Sequence, residues 1–399
     1  MDKKQIPTFL KGLLLTPLRP LVGIKPSLWI FGSDQGRRYS QNARYLFEYV
    51  LKNQPQIKAC WITRSKEVYR ELSSKGFPVL MNGSWKGIMA CLSAQVVVTT
   101  TWFNDIIYTY RKKGQYHLHL MHGMPLKVGY YDIPAPKKSL WKSFTSKIYE
   151  VFVGNYRLED SVFMPVSSEF FKQIILHSTR NSRVEVTGQP RTDDFLSFDA
   201  AALRHKYGFS DKDLIVTYMP THRSYGRGAL SPYIFKDNPE AIRFFKEKGV
   251  VLVWKQHINM TSNYQSFSYD TCFRDYSANP KVDSQELLFI SDILISDYSS
   301  CIYDFMMLGR PILFHDYDDY THTDNPIYIT KEDMAQAGPI SENETQLLAD
   351  IKQALQDPEP LYKKNPQVLQ RYHRYVDSNS CQRVYEALER FIMLGQKTE

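Results

Sequence analysis

In the run SDYSSCIYDFMMLGRPILFHDYD, Ser296 to Asp318, an apolar stretch ends at Asp297 and two hydroxyls, Ser299 and Ser300, follow it. Ile302, Phe305, Met306 and Leu308 then recur at a spacing that puts them on one helix face, so the serines are expected at the helix start. Free backbone N–H groups and the positive dipole end favour a phosphate there, and both hydroxyls can donate to its oxygens. A plain Ser N-cap, worth about 1 kcal/mol of helix stability, is the other role open to the same residues. A second run, MHGMPLK, Met121 to Lys127, places His122 where another apolar stretch ends. An imidazole with an unperturbed pKa of about 6.5 suits general-base work, and Lys127 offers a compact charge for phosphate. Gly123 permits close backbone approach and Pro125 fixes the loop. A histidine that merely hydrogen-bonds its neighbours is the alternative.

Two further segments have the same form. MPTHR puts Thr221, His222 and Arg223 directly after an apolar run, and WKQH does so for Lys255 and His257. Gathered around an anion, these groups supply cations and hydrogen-bond donors; singly, each reads as solvated surface charge. His117 and His119 share a strand face without a third ligand near in sequence, and Asp316 and Asp318 of HDYD suit a turn cap as well as a divalent ion. No metal or other cofactor is expected. GxGxxG after a strand, the Walker-type GxxxxGK and the GxSxG elbow are all absent, which argues against dinucleotide redox chemistry, a P-loop NTPase and a serine hydrolase.

The elements that must position these residues follow from periodicity. Short β-rich runs at 27–33, 57–63, 95–102, 116–123, 150–155, 165–168 and 184–188 alternate with helical spacing, as in a parallel sheet with crossover helices. The pattern restarts at 214–220, 250–257, 293–297 and 311–317, with helical runs near 238–248, 300–308, 345–356 and 378–395. Two such sets predict an α/β chain of two Rossmann-like domains facing across a cleft, one over 27–192 and one over 193–399. The break falls near 190–212, at Pro190 and the pair Asp193–Asp194, and the last helix could return to the first domain.

Composition agrees with a globular chain. The 399 residues are too many for one ordinary core, and 43% hydrophobic content is enough for packed interiors. A formal charge of +8 and a pI near 9.0 imply an anionic partner. Five scattered cysteines without a CxxC pair suit a reducing compartment. Residues 1–26 read as a basic amphipathic leader: Lys3, Lys4, Lys11, Arg19 and Lys25 flank Phe9, Leu13, Leu14 and Leu15. The apolar stretch GLLLTPL is far shorter than the roughly 20 residues of a spanning helix, so this leader is expected to lie on an anionic leaflet or to pack on the body. The stretch PKKSLWKSFTSKIY, 136–149, has a similar character.

With WIFGSDQGRRYSQNARYLFEYV, IKACWIT, MHGMPLK, VTGQPRTD, MPTHR and the SDYSS–D–RPILF block in this order, the chain resembles the CDP-glycerol glycerophosphotransferase family of teichoic-acid and capsule synthesis from about residue 28 to 390. The resemblance implies a GT-B-like fold, with an N-terminal acceptor domain and a C-terminal nucleotide-donor domain. It also implies transfer of glycerol phosphate from CDP-glycerol to a hydroxyl of a lipid-linked or polymeric acceptor, releasing CMP, at the cytoplasmic, inner face of the cell membrane. By the same resemblance, His122 and His257 are the catalytic pair. Ser299, Ser300 and Arg223 by this resemblance, and Thr221, Lys255 and Asp297 by their places after the strands, are expected to hold the donor, and Gly123, Lys127, Arg191, Asp304 and Arg310 to take structural or acceptor-side places. Ile258 stands where the family usually has Pro, and His222 where it commonly has Trp. CDP-ribitol or another polyol donor, a nucleotide-sugar glycosyltransferase, and a polyanion-binding surface protein without catalysis are the competing readings. Nucleic-acid binding finds no platform or recognition-helix motif.

Overall fold

Alternation along the strands decides which side chains enter which layer: Trp29 and Phe31 join one apolar cluster, and Ile30, between them, joins another. The computed structural model describes residues 20–101, 105–106, 114–129, 132, 162–221, 233–256, 270–277, 279, 282–318 and 327–397. The chain divides into two units, the first made of Met1–Met124, Gly129–Asp193 and Asp377–Glu399, the second of Pro125–Val128 and Asp194–Val376.

The first unit contains β1 (Lys25–Phe31), β2 (Lys58–Thr63), β3 (Val79–Met81), β4 (Ala94–Thr99), β5 (Tyr116–His119), β6 (Val162–Val166) and β7 (Val184–Val186). All pair in parallel, in the order β3-β2-β1-β4-β5-β6-β7. One face packs Trp29, Phe31, Trp61 and Leu118 against Phe47 of helix Gln41–Asn53 and against Val384, Leu388 and Phe391 of helix Ser380–Lys397. The other sets Ile30, Ile62 and Val97 against Ala90 and Cys91 of helix Trp85–Ser93. The stretch after 377 therefore packs with the first unit, where the sequence boundary had run 193–399 as one piece. Its apolar stripe completes a sheet face that helix Gln41–Asn53 alone leaves uncovered.

The second unit contains β8 (Leu214–Met219), β9 (Val250–Trp254), β10 (Phe273–Asp275), β11 (Ile293–Ser296), β12 (Ile312–His315) and β13 (Ile340–Ser341), again all parallel, in the order β10-β9-β8-β11-β12-β13. Helices Pro239–Lys248 and Glu344–Gln356 cover one face through Phe245, Ala241, Leu347 and Ile351. In each sheet the strand order reverses once, between β1 and β4 and between β8 and β11, and crevices at such reversals are where open α/β sheets bind ligands.

The edge strands β3, β10 and β13 have two or three residues each, too few to show a period. The run 165–168 splits differently from its sequence reading: β6 ends at Val166, and Ser168 caps helix Glu169–Thr179 by accepting from the Phe171 N–H. The expected strand at 150–155 lies outside the described residues. Among the described residues no helix is long and apolar enough to cross a membrane.

Candidate active site

His122 projects from the loop that follows β5, and its ring is exposed. The residue before it, Met121, has φ 56, and Gly123 after it has φ 150. A non-glycine residue held in the left-handed region costs on the order of 1 kcal/mol or more, so surrounding structure must enforce it. Two side chains do so. Asn42, fully buried, donates from Nδ2 to the carbonyls of Leu120 and Met121, each at 3.1 Å, and to Gln189 Oε1 at 3.2 Å. Its Oδ1 accepts the backbone N–H of Arg191 at 3.1 Å. Arg191, 4% exposed, donates from Nη1 to the His122 carbonyl at 2.6 Å and to Gln41 Oε1 at 3.1 Å. Arg191 thus acts on the His122 main chain, and Asn42, which the sequence reading passed over, is the hub of the knot.

The ring is aimed by a second group. Nδ1 of His122 faces the carbonyl oxygen of Thr100 at 3.4 Å, a contact that an Nδ1–H tautomer satisfies and that leaves Nε2 as the acceptor. The turn carrying that carbonyl is held by Asp105, a fully buried carboxylate. Asp105 accepts the N–H groups of Thr100 at 2.6 Å, Thr101 at 2.7 Å and Gln35 at 2.7 Å, along with the Thr101 hydroxyl. Burial pushes its carboxyl above the usual range, and these donors pull in the other direction. Beside it, Thr99 Oγ1 bridges His117 Nε2 at 2.7 Å and His119 Nδ1 at 3.1 Å. The two strand histidines are buried hydrogen-bonders, and burial holds His119 well below its usual pKa.

In the second unit, Asp297 and Thr221 meet at the strand-order reversal. Asp297 Oδ1 accepts the Thr221 N–H at 2.8 Å and the Thr221 hydroxyl at 2.5 Å, so the carboxylate ties the turn after β11 to the segment after β8. Ser299 and Ser300, both half-buried, precede helix Cys301–Met306. Ser300 sits in the helical region at φ −66, ψ −11, and its side chain caps no N–H. Ser300 thus does not take the capping role, and the Ser299 side chain hydrogen-bonds Cys301 at the helix start. The helix has only six residues and is buried on every side through Ile302, Tyr303, Asp304, Phe305 and Met306, so it differs from the expected longer amphipathic helix and lends only a short dipole.

The remaining candidates are dispersed. Lys255 Nζ donates to the carbonyls of Tyr276 at 3.0 Å and Asn279 at 3.2 Å, closing the end of β9 onto the segment after β10. Lys127 forms an isolated antiparallel bridge with Ile327, and the chain passes from the first unit to the second between His122 and Lys127. Asp304 is buried and accepts from Gln285 Nε2 at 3.1 Å. Arg310 donates to the Ser291 carbonyl at 2.7 Å, bracing a loop. Asp316 of HDYD accepts the Tyr298 hydroxyl at 2.8 Å and pairs with Lys331 at 2.6 Å. His257, His222 and Arg223 lie outside the described residues.

Residues 15–390 match the family described as CDP-Glycerol:Poly(glycerophosphate) glycerophosphotransferase. The chain belongs to that family. This family member is 27% identical to the teichoic acid glycerol-phosphate transferase of Staphylococcus aureus, over 91% of the chain and 92% of that protein. It is 26% identical to the teichoic acid poly(glycerol phosphate) polymerase of Bacillus subtilis, over 88% of the chain, but spans only 47% of that protein's length. The solved wall teichoic acid polymerase TagF shares its fold, with a TM-score of 0.74 at 20% identity over 98% of this chain and 99% of the other. A co-structure of S. aureus MnaA with UDP superposes at a TM-score of 0.52 and 12% identity over 92% of this chain and 96% of the other, and agrees with a GT-B-like, two-Rossmann fold.

Proposed function

We propose that this family member transfers glycerol phosphate from CDP-glycerol to a hydroxyl of a membrane-associated glycan or polyol-phosphate acceptor in teichoic acid or capsule synthesis. The observation that carries the reading is an exposed His122, in a family motif, on a loop whose strained backbone is clamped by Asn42 and Arg191. In the reaction, the acceptor oxygen bonds to the β-phosphorus of the donor and the bridging oxygen leaves with CMP. The hydroxyl proton passes to His122 Nε2, whose opposite nitrogen is turned toward Thr100. Ser299 and Ser300, whose hydroxyls stand at the reversal of the second sheet, donate to the diphosphate with Arg223 and the backbone of that turn. Asp297 and Thr221 set the shape of the turn. His257 is the second catalytic group in this reading. The basic leader, residues 1–26, holds the enzyme at an anionic inner leaflet.

The test is CMP release by the full chain given CDP-glycerol or CDP-ribitol with a membrane extract. CMP from CDP-glycerol is the expected product; CMP only from CDP-ribitol moves the donor assignment, and absence of CMP from both sinks the reading. In the same assay His122→Ala loses about 10²- to 10⁴-fold in turnover while donor binding survives. Removal of residues 1–19, which stops short of β1, lowers binding to anionic vesicles; undiminished binding rejects the leaflet role.

A further inference from the structure

The motif FGSDQGRRYS, residues 31–40, has no part in the mechanism above, yet it occupies the strand-order reversal of the first sheet. Asp34, Gln35 and Gly36 are all left-handed, at φ 46, 60 and 72. Asp34 and Gln35, which carry a Cβ, store strain there, and the loop is pinned from both sides. Gln35 N–H donates to Asp105 at 2.7 Å on the β4 side, and the Gly36 carbonyl accepts the Arg64 N–H at 2.6 Å and the Thr63 hydroxyl at 3.0 Å on the β2 side. A Cβ on Gly36 would lie 2.6 Å from the Asp105 carbonyl oxygen, so only glycine fits. The brace is the counterpart of Asp297 on Thr221 in the second unit: in each sheet a carboxylate after the fourth strand holds an N–H after the first.

What this loop presents is charge. Arg37 and Arg64 are exposed and Arg38 is half-buried. Among the described residues none of the three side chains makes an ion pair or hydrogen bond. The stem of Arg64 lies over Gly36; desolvation of the guanidinium there, then repulsion from Arg37, pulls it below the usual range, and Asp105 acts in the opposite sense. The nearby carboxylates are committed, Asp34 to the Ser40 hydroxyl at 2.6 Å and Asp105 to its turn. Arg37 and Arg64 lie close enough to repel, and guanidinium groups that no ion pair satisfies among the described residues suit an oxyanion, which they bind through paired N–H donors. Arg37 follows β1, which lies two strands from β5 and hence about 10 Å along the same carboxyl edge from the strand that leads to His122.

The geometry points to an anion subsite in which Arg37, Arg38 and Arg64 hold a phosphodiester of the acceptor a short polyol-phosphate stretch behind the hydroxyl presented to His122. This subsite rests on the acceptor reading proposed above. It makes the enzyme prefer acceptors that already carry phosphodiester units, because a neutral glycan end leaves the guanidinium groups unpaired.

Steady-state kinetics of the full chain with CDP-glycerol and a lipid-linked acceptor carrying glycerol phosphate units provide the test. Arg37→Ala/Arg64→Ala is expected to raise the acceptor KM about 10- to 100-fold with the CDP-glycerol KM within about twofold, and Arg37→Glu/Arg64→Glu to raise it further. Added salt weakens acceptor binding in the wild type more than in the Ala variant. An unchanged acceptor KM and salt response in both variants overturns the subsite. So does a loss of binding to acceptor-free anionic vesicles with no change in acceptor KM, which would assign the arginines to lipid headgroups. If the wild type releases no CMP from CDP-glycerol, the transferase reading fails first. Calorimetric binding of glycerol phosphate oligomers then decides the subsite separately: weakened binding in the Ala variant supports it, equal binding rejects it. Both positions carry exposed side chains, so folding is checked by an unchanged unfolding temperature.

Discussion

Arg191 lies outside the reacting atoms in the proposed mechanism, yet its guanidinium holds the carbonyl of His122 at 2.6 Å and its backbone N–H meets Asn42. Its role is positioning, and misplacement of a catalytic group by about 1 Å can cost on the order of 10²-fold in rate. Arg191→Ala is accordingly expected to lower kcat by about that factor with little change in the KM for CDP-glycerol. The distinguishing readout is the double variant: once His122 is Ala, removing Arg191 costs almost nothing further in turnover, because the loop no longer carries a base to aim. Additive losses in the double variant contradict the positioning role. The same logic separates residues that the motifs name from those they omit. Arg191 stands in the short motif VTGQPRTD, whereas Asn42 lies within the long run WIFGSDQGRRYSQNARYLFEYV, on the buried face of helix Gln41–Asn53, where nothing in its spacing singles it out.

At the level of elements, the long helix Ser380–Lys397 depends on a residue far away in sequence for its start. Asp193 accepts the N–H groups of Ser380 at 2.9 Å and Cys381 at 2.7 Å, doing for this helix what a local cap does for others. Gly188, at φ 87, lets Ser380 approach, since a Cβ there would lie 2.4 Å from the serine hydroxyl. Asp193→Ala leaves two buried N–H groups without their acceptor and is expected to destabilise the first unit by about 1–3 kcal/mol while the second unit unfolds as before. Calorimetry with two resolved transitions checks this, and an equal shift of both would refute the local role. The longer strands were legible because their apolar runs are long enough to show a period, whereas β3, β10 and β13 are too short to show one. Helix Cys301–Met306 was mistaken for an amphipathic one because Tyr303 and the polar Asp304 are buried with the rest, Asp304 against Gln285.

Over the whole molecule, acid should separate the two units. Burial holds the imidazoles of His119, His315 and His373 below the usual range, so each is neutral when folded and takes up a proton on unfolding below about pH 6.5. The stability they contribute is present above that pH and is lost below it, by at most about 1.4 kcal/mol per pH unit for each histidine. Asp105 and Asp193, whose carboxyls burial pushes up, work in the opposite sense: their contribution is complete at low pH and is lost as pH rises through their folded pKa values. Both carboxyls belong to the first unit, with His119, while His315 and His373 belong to the second. Between about pH 7 and pH 5 the unfolding temperature of the second unit is therefore expected to fall more than that of the first; a first unit that loses more contradicts this balance.

Amino-acid order alone determined the two runs of parallel strands, the turns after them and the family motifs that carry His122, Ser299 and Ser300, because apolar periodicity and turn chemistry are local properties. It could not determine what holds those turns. Asp105 reaches Gln35 across 70 positions and Asp297 reaches Thr221 across 76, and no pattern in a single sequence records a hydrogen bond over such separations. Only the sheet order, which brings β1 beside β4 and β8 beside β11, made those carboxylates and amides neighbours.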